Sequence, residues 1–192
     1  GGEPLLRKEL IEIIKYANMS GINSTHITTN GLLLGSKIDV LENAGLTGIN
    51  ISLDTLNPEK YKKITRRDGL NIVLQSLDKA IKSGIKSVKV NVVTLKEFND
   101  DEIIDFVEMT KENNITIRFI ELMPFDSQQI WKTGKFFSAE NILSTIKKQV
   151  PNLLKVSGSS TEHHIFQVDG FIGKVAIIPA YSRNLCGNCN RI

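Results

Sequence analysis

Cysteine is scarce here, with only two in 192 residues. That excludes the cross-linked framework of a small secreted domain. The two lie close together, as Cys186-Gly187-Asn188-Cys189, which suggests a reducing compartment and a metal or redox role. No charge sign dominates: 24 Lys plus Arg against 21 Asp plus Glu give a net +3. That is too little to argue for nucleic acid, though it suits a small anionic ligand. No apolar run is long enough to cross a bilayer, and no basic segment opens onto an apolar stretch as in a secretory signal. Low-complexity tracts are lacking, and the only repeat is a strand followed by a helix. An initiator Met is also missing, and the chain stops one residue after Arg191. The expectation is a fragment, cut through functional sites at both ends.

What is present is enough apolar material, 41% of residues, to bury a sizeable core in one domain or a little more. Two periodicities alternate. Leu6, Leu10, Ile13, Ile14 and Ala17 recur at helical spacing, as do Ile72, Val73, Leu77, Ala80 and Ile81, the latter stopping at Gly84. Leu41 and Ala44 before Gly45 mark another helix, and Ile103, Ile104, Phe106 and Val107 open a fourth. Between them, residues 26–30, 50–54, 88–93 and 115–121 read as strands. Strands alternating with helices predict β/α units on a parallel sheet. After Pro124 the character changes: 126–135 is mostly polar, Ser138 can cap a helix towards Lys148, and Pro151 ends it. Residues 165–168 and 174–178 then read as antiparallel strands around Gly170 and Gly173. The predicted fold class is α/β: a partial β/α barrel over 1–123 and an appended C-terminal α+β layer over 124–192.

The strands are not uniformly apolar, as strands of a parallel sheet buried on both faces would be. Thr28 and Asn30 share one face of the first; Asn50, Ser52 and Asp54 of the second; Lys89 and Asn91 of the third; Thr116 and Arg118 of the fourth. Any one of these could be an edge strand facing water, but four cannot all be edges of one sheet. A polar barrel lumen accounts for them together, since Lys89 and Arg118 buried without partners would be costly. Cations pointing inwards suit a phosphate, and Arg offers it a planar fork of donors. Gly1-Gly2-Glu3-Pro4 falls where a strand would give way to a helix, the end at which β/α folds keep their sites. Two glycines allow close backbone approach and Glu3 can accept an ammonium group; a plain tight turn is the alternative. Cys186 and Cys189 fit metal or cluster ligation, a thioredoxin-like redox pair, or half a zinc knuckle. The pair does not directly follow a strand, which weakens the redox reading. His163-His164 reads as a solvated loop pair, and Trp131 as a local packing anchor.

Several segments occur in order: Gly1-Gly2-Glu3-Pro4, Thr28-Thr29-Asn30-Gly31, Asn50-Ile51-Ser52-Leu53-Asp54-Thr55-Leu56, Ile64-Thr65-Arg66-Arg67-Asp68-Gly69, Val88-Lys89-Val90-Asn91-Val92-Val93, Asn99-Asp100-Asp101, Ile117-Arg118-Phe119-Ile120-Glu121-Leu122-Met123-Pro124, and Cys186-Gly187-Asn188-Cys189-Asn190-Arg191. The series resembles the MoaA family, the radical S-adenosylmethionine (SAM) GTP 3′,8-cyclases of molybdenum cofactor biosynthesis. It covers nearly the whole chain and is weakest over 127–170. The first segment alone is shared by radical SAM enzymes in general; the full series is specific.

The resemblance implies a partial β/α barrel whose upstream cysteine loop holds a [4Fe–4S] cluster for reductive cleavage of SAM. It implies a second [4Fe–4S] cluster on three C-terminal cysteines, of which Cys186 and Cys189 would be two. Gly2 and Glu3 would meet the methionine part of SAM, with Ser52 and Met123 as further contacts. Thr28, Lys89, Arg118 and Arg191 would hold GTP. The product would be (8S)-3′,8-cyclo-7,8-dihydroguanosine 5′-triphosphate, passed to cyclic pyranopterin monophosphate synthase. An electron donor is needed, a homodimer is compatible, and no nucleic-acid or membrane partner is expected. The location would be cytoplasmic, or the mitochondrial matrix in a eukaryote. The first cluster loop and the third cysteine are not in the sequence, so the fragment by itself is expected to be inactive. A peptide-modifying radical SAM maturase with auxiliary clusters, or a metal-stabilised binding module, are the alternatives.

Overall fold

The structure, a computed structural model, describes residues 2–123, 134–156 and 164–182. Its contacts divide the chain into two units, residues 1–90 and 91–192.

In the first unit a short 3-10 turn (Pro4–Leu6) leads to α1 (Leu10–Met19), then β1 (His26–Thr29), α2 (Ile38–Asn43), β2 (Gly48–Ser52), α3 (Pro58–Thr65), α4 (Leu70–Lys82) and the opening of β3 (Ser87–Thr94). β1 and β2 are parallel, with Thr28 opposite Asn50 and Thr29 opposite Ile51. The expected alternation is what the strands show. Ile49, Ile51 and Leu53 are buried, and so are Ile27 and Thr29, whereas Thr28, Asn30 and Ser52 are exposed. α4 buries Leu70, Val73, Leu77 and Ala80 along one stripe, the spacing of a helix with one core face. Gly31, just after β1, has a φ of 81° and lies where an added Cβ would meet Val73 Cγ1 at 2.9 Å. Its glycine therefore serves both the turn and the close fit of α4. α3 begins at Asn57-Pro58, where the Asn57 carboxamide oxygen accepts from the Glu59 and Lys60 amides, a side-chain cap followed by a proline already set for the helix.

The second unit carries the rest of β3, α5 (Ile103–Glu108), β4 (Ile115–Glu121), α6 (Ala139–Gln149), β5 (Leu153–Lys155), β6 (His164–Val168) and β7 (Lys174–Ile178). Strand order here is β4-β7-β6-β5. β6 and β7 are antiparallel, as the sequence suggests, but β7 lies parallel to β4, with Arg118 opposite Ala176. Ile115, Ile117 and Phe119 are buried on one face of β4, and Phe106 of α5 packs edge-on against Phe119 with ring centroids 6.3 Å apart. Ser138 caps α6 as expected, its hydroxyl accepting from the Asn141 amide at 3.1 Å.

Candidate functional site

The turn at Gly2-Glu3 is fastened to the end of β1. Glu3 Oε1 accepts from the Thr29 hydroxyl at 2.7 Å and the Leu5 amide at 3.2 Å, and Oε2 accepts from the Asn30 amide at 2.9 Å. Lys37 Nζ donates to the Leu5 carbonyl at 2.8 Å, and the Leu5 side chain is fully buried beneath. Three donors on one carboxylate fix its orientation, yet Oε2 keeps room for a further donor. Gly2 has a φ of 99°, and a Cβ built there would meet nothing within 4 Å among the described residues. The backbone at Gly2 is thus open to close approach by a ligand.

Beside it lies the polar face of β1 and β2. Asn50 Nδ2 donates to Thr28 Oγ1 at 3.2 Å, while Asn50 Oδ1 is buried without a hydrogen-bond partner among the described residues. A buried orphan acceptor costs free energy until a donor arrives, so this atom fits a ligand carrying N–H or O–H groups. Ser52 follows on the same face and is exposed. In this unit Gly2, Glu3, Thr28 and Ser52 therefore stand at the C-terminal ends of two parallel strands. Lys89 in β3 is half-buried. Where the chain passes from α3 to α4, a cavity of about 290 Å³ has walls that include Pro58, Tyr61, Asp68 and Leu70. Burial raises the pKa of the Tyr61 hydroxyl above the usual 10.0, with the nearby Arg67 charge opposing it.

In the second unit Arg118 is half-buried on the face of β4 opposite Ile117 and Phe119, and Met123 is exposed just past the strand. Asn91 Oδ1 is a second buried acceptor without a partner among the described residues. Asn99 is buried, accepting from the Leu95 amide and donating to the Val93 carbonyl. Its part of the Asn99-Asp100-Asp101 segment is to close the turn after β3. Among the described residues no group of three or more His, Cys, Asp or Glu could hold a metal. Gly1, Pro124, Trp131, His163, Cys186, Cys189 and Arg191 lie outside the described residues. Glu121, to which sequence reasoning gives no role, is fully buried and accepts four hydrogen bonds. The signal was available: it occupies the apolar phase of β4.

Residues 1–110 match the Radical SAM superfamily and 115–192 match Molybdenum Cofactor Synthesis C. The chain belongs to the radical SAM superfamily. That family implies a [4Fe–4S] cluster and SAM, and the open backbone at Gly2 with the orphan acceptor of Asn50 fits a ligand with an amine and hydroxyls. The chain is 46% identical to a GTP 3′,8-cyclase of Chlorobaculum tepidum over all of its own length and 58% of that protein. It is 40% identical to the mitochondrial GTP 3′,8-cyclase of Arabidopsis thaliana, over all of its length and 50% of that one. The match to molybdenum cofactor biosynthesis protein 1 of Homo sapiens is 40% over 30% of that chain. The chain thus spans little more than half of the bacterial relatives it matches. Among solved structures it resembles TYW1 with a lysine-pyruvate adduct bound, at a TM-score of 0.61 and 23% identity, covering 83% of this chain and 51% of that one. A domain of the pyruvate-formate lyase-activating enzyme of Bacteroides vulgatus gives 0.60 at 17% identity, covering 77% and 88%. These two speak for fold alone. The fold is the α/β class expected, a partial β/α barrel of the radical SAM type with a C-terminal α+β layer. No helix among the described residues is long and apolar enough to cross a membrane.

Proposed function

We propose that the chain is part of a GTP 3′,8-cyclase acting in molybdenum cofactor biosynthesis. The observation that carries this is 46% identity to such an enzyme over the full length of the chain. The match of 115–192 to Molybdenum Cofactor Synthesis C supports it, because the generic superfamily match ends before that region. When bound, a reduced [4Fe–4S] cluster and SAM supply a 5′-deoxyadenosyl radical able to take the 3′ hydrogen of GTP.

The residues divide the remaining work. Gly2 leaves its backbone free for the methionine part of SAM, and Glu3 holds that turn while keeping acceptor capacity for an ammonium group. Ser52 and Met123 are further contacts to SAM. Thr28 offers a hydroxyl to the nucleotide, and Asn50 holds Thr28 in place. Lys89, Arg118 and Arg191 supply positive charge for the triphosphate. Cys186 and Cys189 are two thiolates of a second cluster; two cannot complete a [4Fe–4S] ligand set, so a third must come from elsewhere in the whole protein. The division into a barrel over 1–123 and an extension over 124–192 belongs to the same proposal. The two family matches also divide the chain near there, ahead of β4 rather than after it. An electron donor, a following cyclic pyranopterin monophosphate synthase, a homodimer and a cytoplasmic or mitochondrial site complete the reading.

The test is anaerobic turnover by the full-length protein with reductant, SAM and GTP. Accumulation of the cyclised triphosphate, and its absence when GTP is replaced by ATP, is the expected outcome. SAM cleavage that responds to a peptide and ignores GTP would favour the maturase instead.

A further inference from the structure

β4 places a carboxylate where its own alternation calls for an apolar side chain. Ile115, Ile117 and Phe119 occupy one phase of the strand and are buried, and Glu121 continues that phase with 0% of its surface exposed. A carboxylate removed from water must have its charge met by donors. Four meet it. Oε1 accepts from the Ala139 amide at 2.6 Å and the Ser182 hydroxyl at 2.9 Å, and Oε2 accepts from the Tyr181 and Ser182 amides, both at 2.9 Å. Ala139 is the first residue of α6, so the positive end of that helix faces the carboxylate. The other donors belong to the turn that follows β7. The Tyr181 ring is gripped separately, edge-on against Phe136 at 5.5 Å between centroids, and Phe136 is bridged to Leu95. The chain therefore leaves β7 from a fixed point, and Cys186 comes four residues after Ser182.

We propose that Glu121 is a positioning residue that sets where the cysteine-bearing segment starts. It does so by clamping Tyr181 and Ser182 to the end of β4 and to the first turn of α6. The proposal deepens the reading above and rests on its assignment of Cys186 and Cys189 to a second cluster. An apolar residue at 121 would leave three backbone N–H groups without their acceptor. Glutamine, though equal in size, turns a donor towards at least one of those N–H groups whichever way its amide lies.

The experiment uses the full-length protein, reconstituted anaerobically, as wild type, Glu121→Gln, Glu121→Ala, Ser182→Ala and Cys186→Ser. Iron content and the low-temperature paramagnetic spectrum of the reduced clusters are read for each. Glu121→Gln and Glu121→Ala are expected to lose about half of the bound iron, one cluster of two. They should lose the same spectral component that Cys186→Ser removes, with the other component kept as an internal reference. Ser182→Ala, which deletes one donor on an exposed residue, should shift that component without abolishing it. Should the alanine variant fail to fold, the isosteric glutamine variant decides. A second-cluster signal at wild-type level in Glu121→Gln, accompanied only by a lower melting temperature, would overturn the proposal and leave the cluster reading intact. Full iron and both components in Cys186→Ser would overturn the cluster reading itself, and this proposal with it.

Discussion

Gly2 and Gly31 both hold a positive φ, 99° and 81°, but among the described residues only Gly31 has a neighbour in the way, Val73 Cγ1 at 2.9 Å. Alanine at either position pays the left-handed backbone cost of about 1 kcal/mol. At Gly31 it adds overpacking of a further 1–3 kcal/mol or so. Urea unfolding of the two variants of the full-length protein should therefore separate them, with Gly31→Ala the less stable, while Gly2→Ala is the one that loses SAM affinity. Equal losses of stability would mean that Val73 yields freely. Glu3 is the companion case. Glu3→Gln keeps the bulk but turns an amide group towards a donor, so it should cost about 1–2 kcal/mol and weaken SAM binding as the Gly2 turn loosens. Tyr61 gives a pH signature. Its folded pKa lies above the unfolded 10.0, so the neutral hydroxyl's contribution is intact below pH 10 and fades as pH rises through the folded value. Tyrosinate absorbance of wild type against Tyr61→Phe, followed with pH, should show one late-titrating group that the variant lacks.

At the scale of elements, the parts legible in the sequence are those whose burial follows one period. α4 announced itself by Val73, Leu77 and Ala80, and the four early strands by alternation of polar and apolar residues. Ser138 was legible as a cap because its hydroxyl is a local acceptor for its own helix. α3 was not read: Tyr61 is its only buried side chain, so no apolar stripe exists, and the cue was the Asn57-Pro58 cap alone. Asn57→Ala should cost about 1 kcal/mol of stability and lower the melting temperature by a few degrees; no change would mean that α3 is held by its neighbours rather than by its cap. β5 was missed because three residues carry too little pattern. The parallel pairing of β7 with β4 was missed for another reason. Sequence neighbours reveal a hairpin, and nothing local marks the strand with which a hairpin then pairs.

For the whole molecule, the polar strand faces were legible because Lys89 and Arg118 interrupt apolar runs, and burying such charges alone is too costly to be accidental. The clamp at Glu121 was hidden because its donors, Ala139, Tyr181 and Ser182, come from distant parts of the chain and are mostly backbone amides. Residues proposed to bind ligands and residues that hold turns in place are interleaved in the same segments. Glu3 and Asn99 show it: quoted as parts of a functional series, both spend their side chains on turns. The central claim is radical chemistry at the ribose of GTP by the whole protein. The most direct measurement is label transfer, with the full-length enzyme given SAM, reductant and GTP deuterated at the 3′ carbon. The account predicts 5′-deoxyadenosine carrying that deuterium, formed together with the cyclised triphosphate. Unlabelled 5′-deoxyadenosine, released at the same rate with or without GTP, would contradict it.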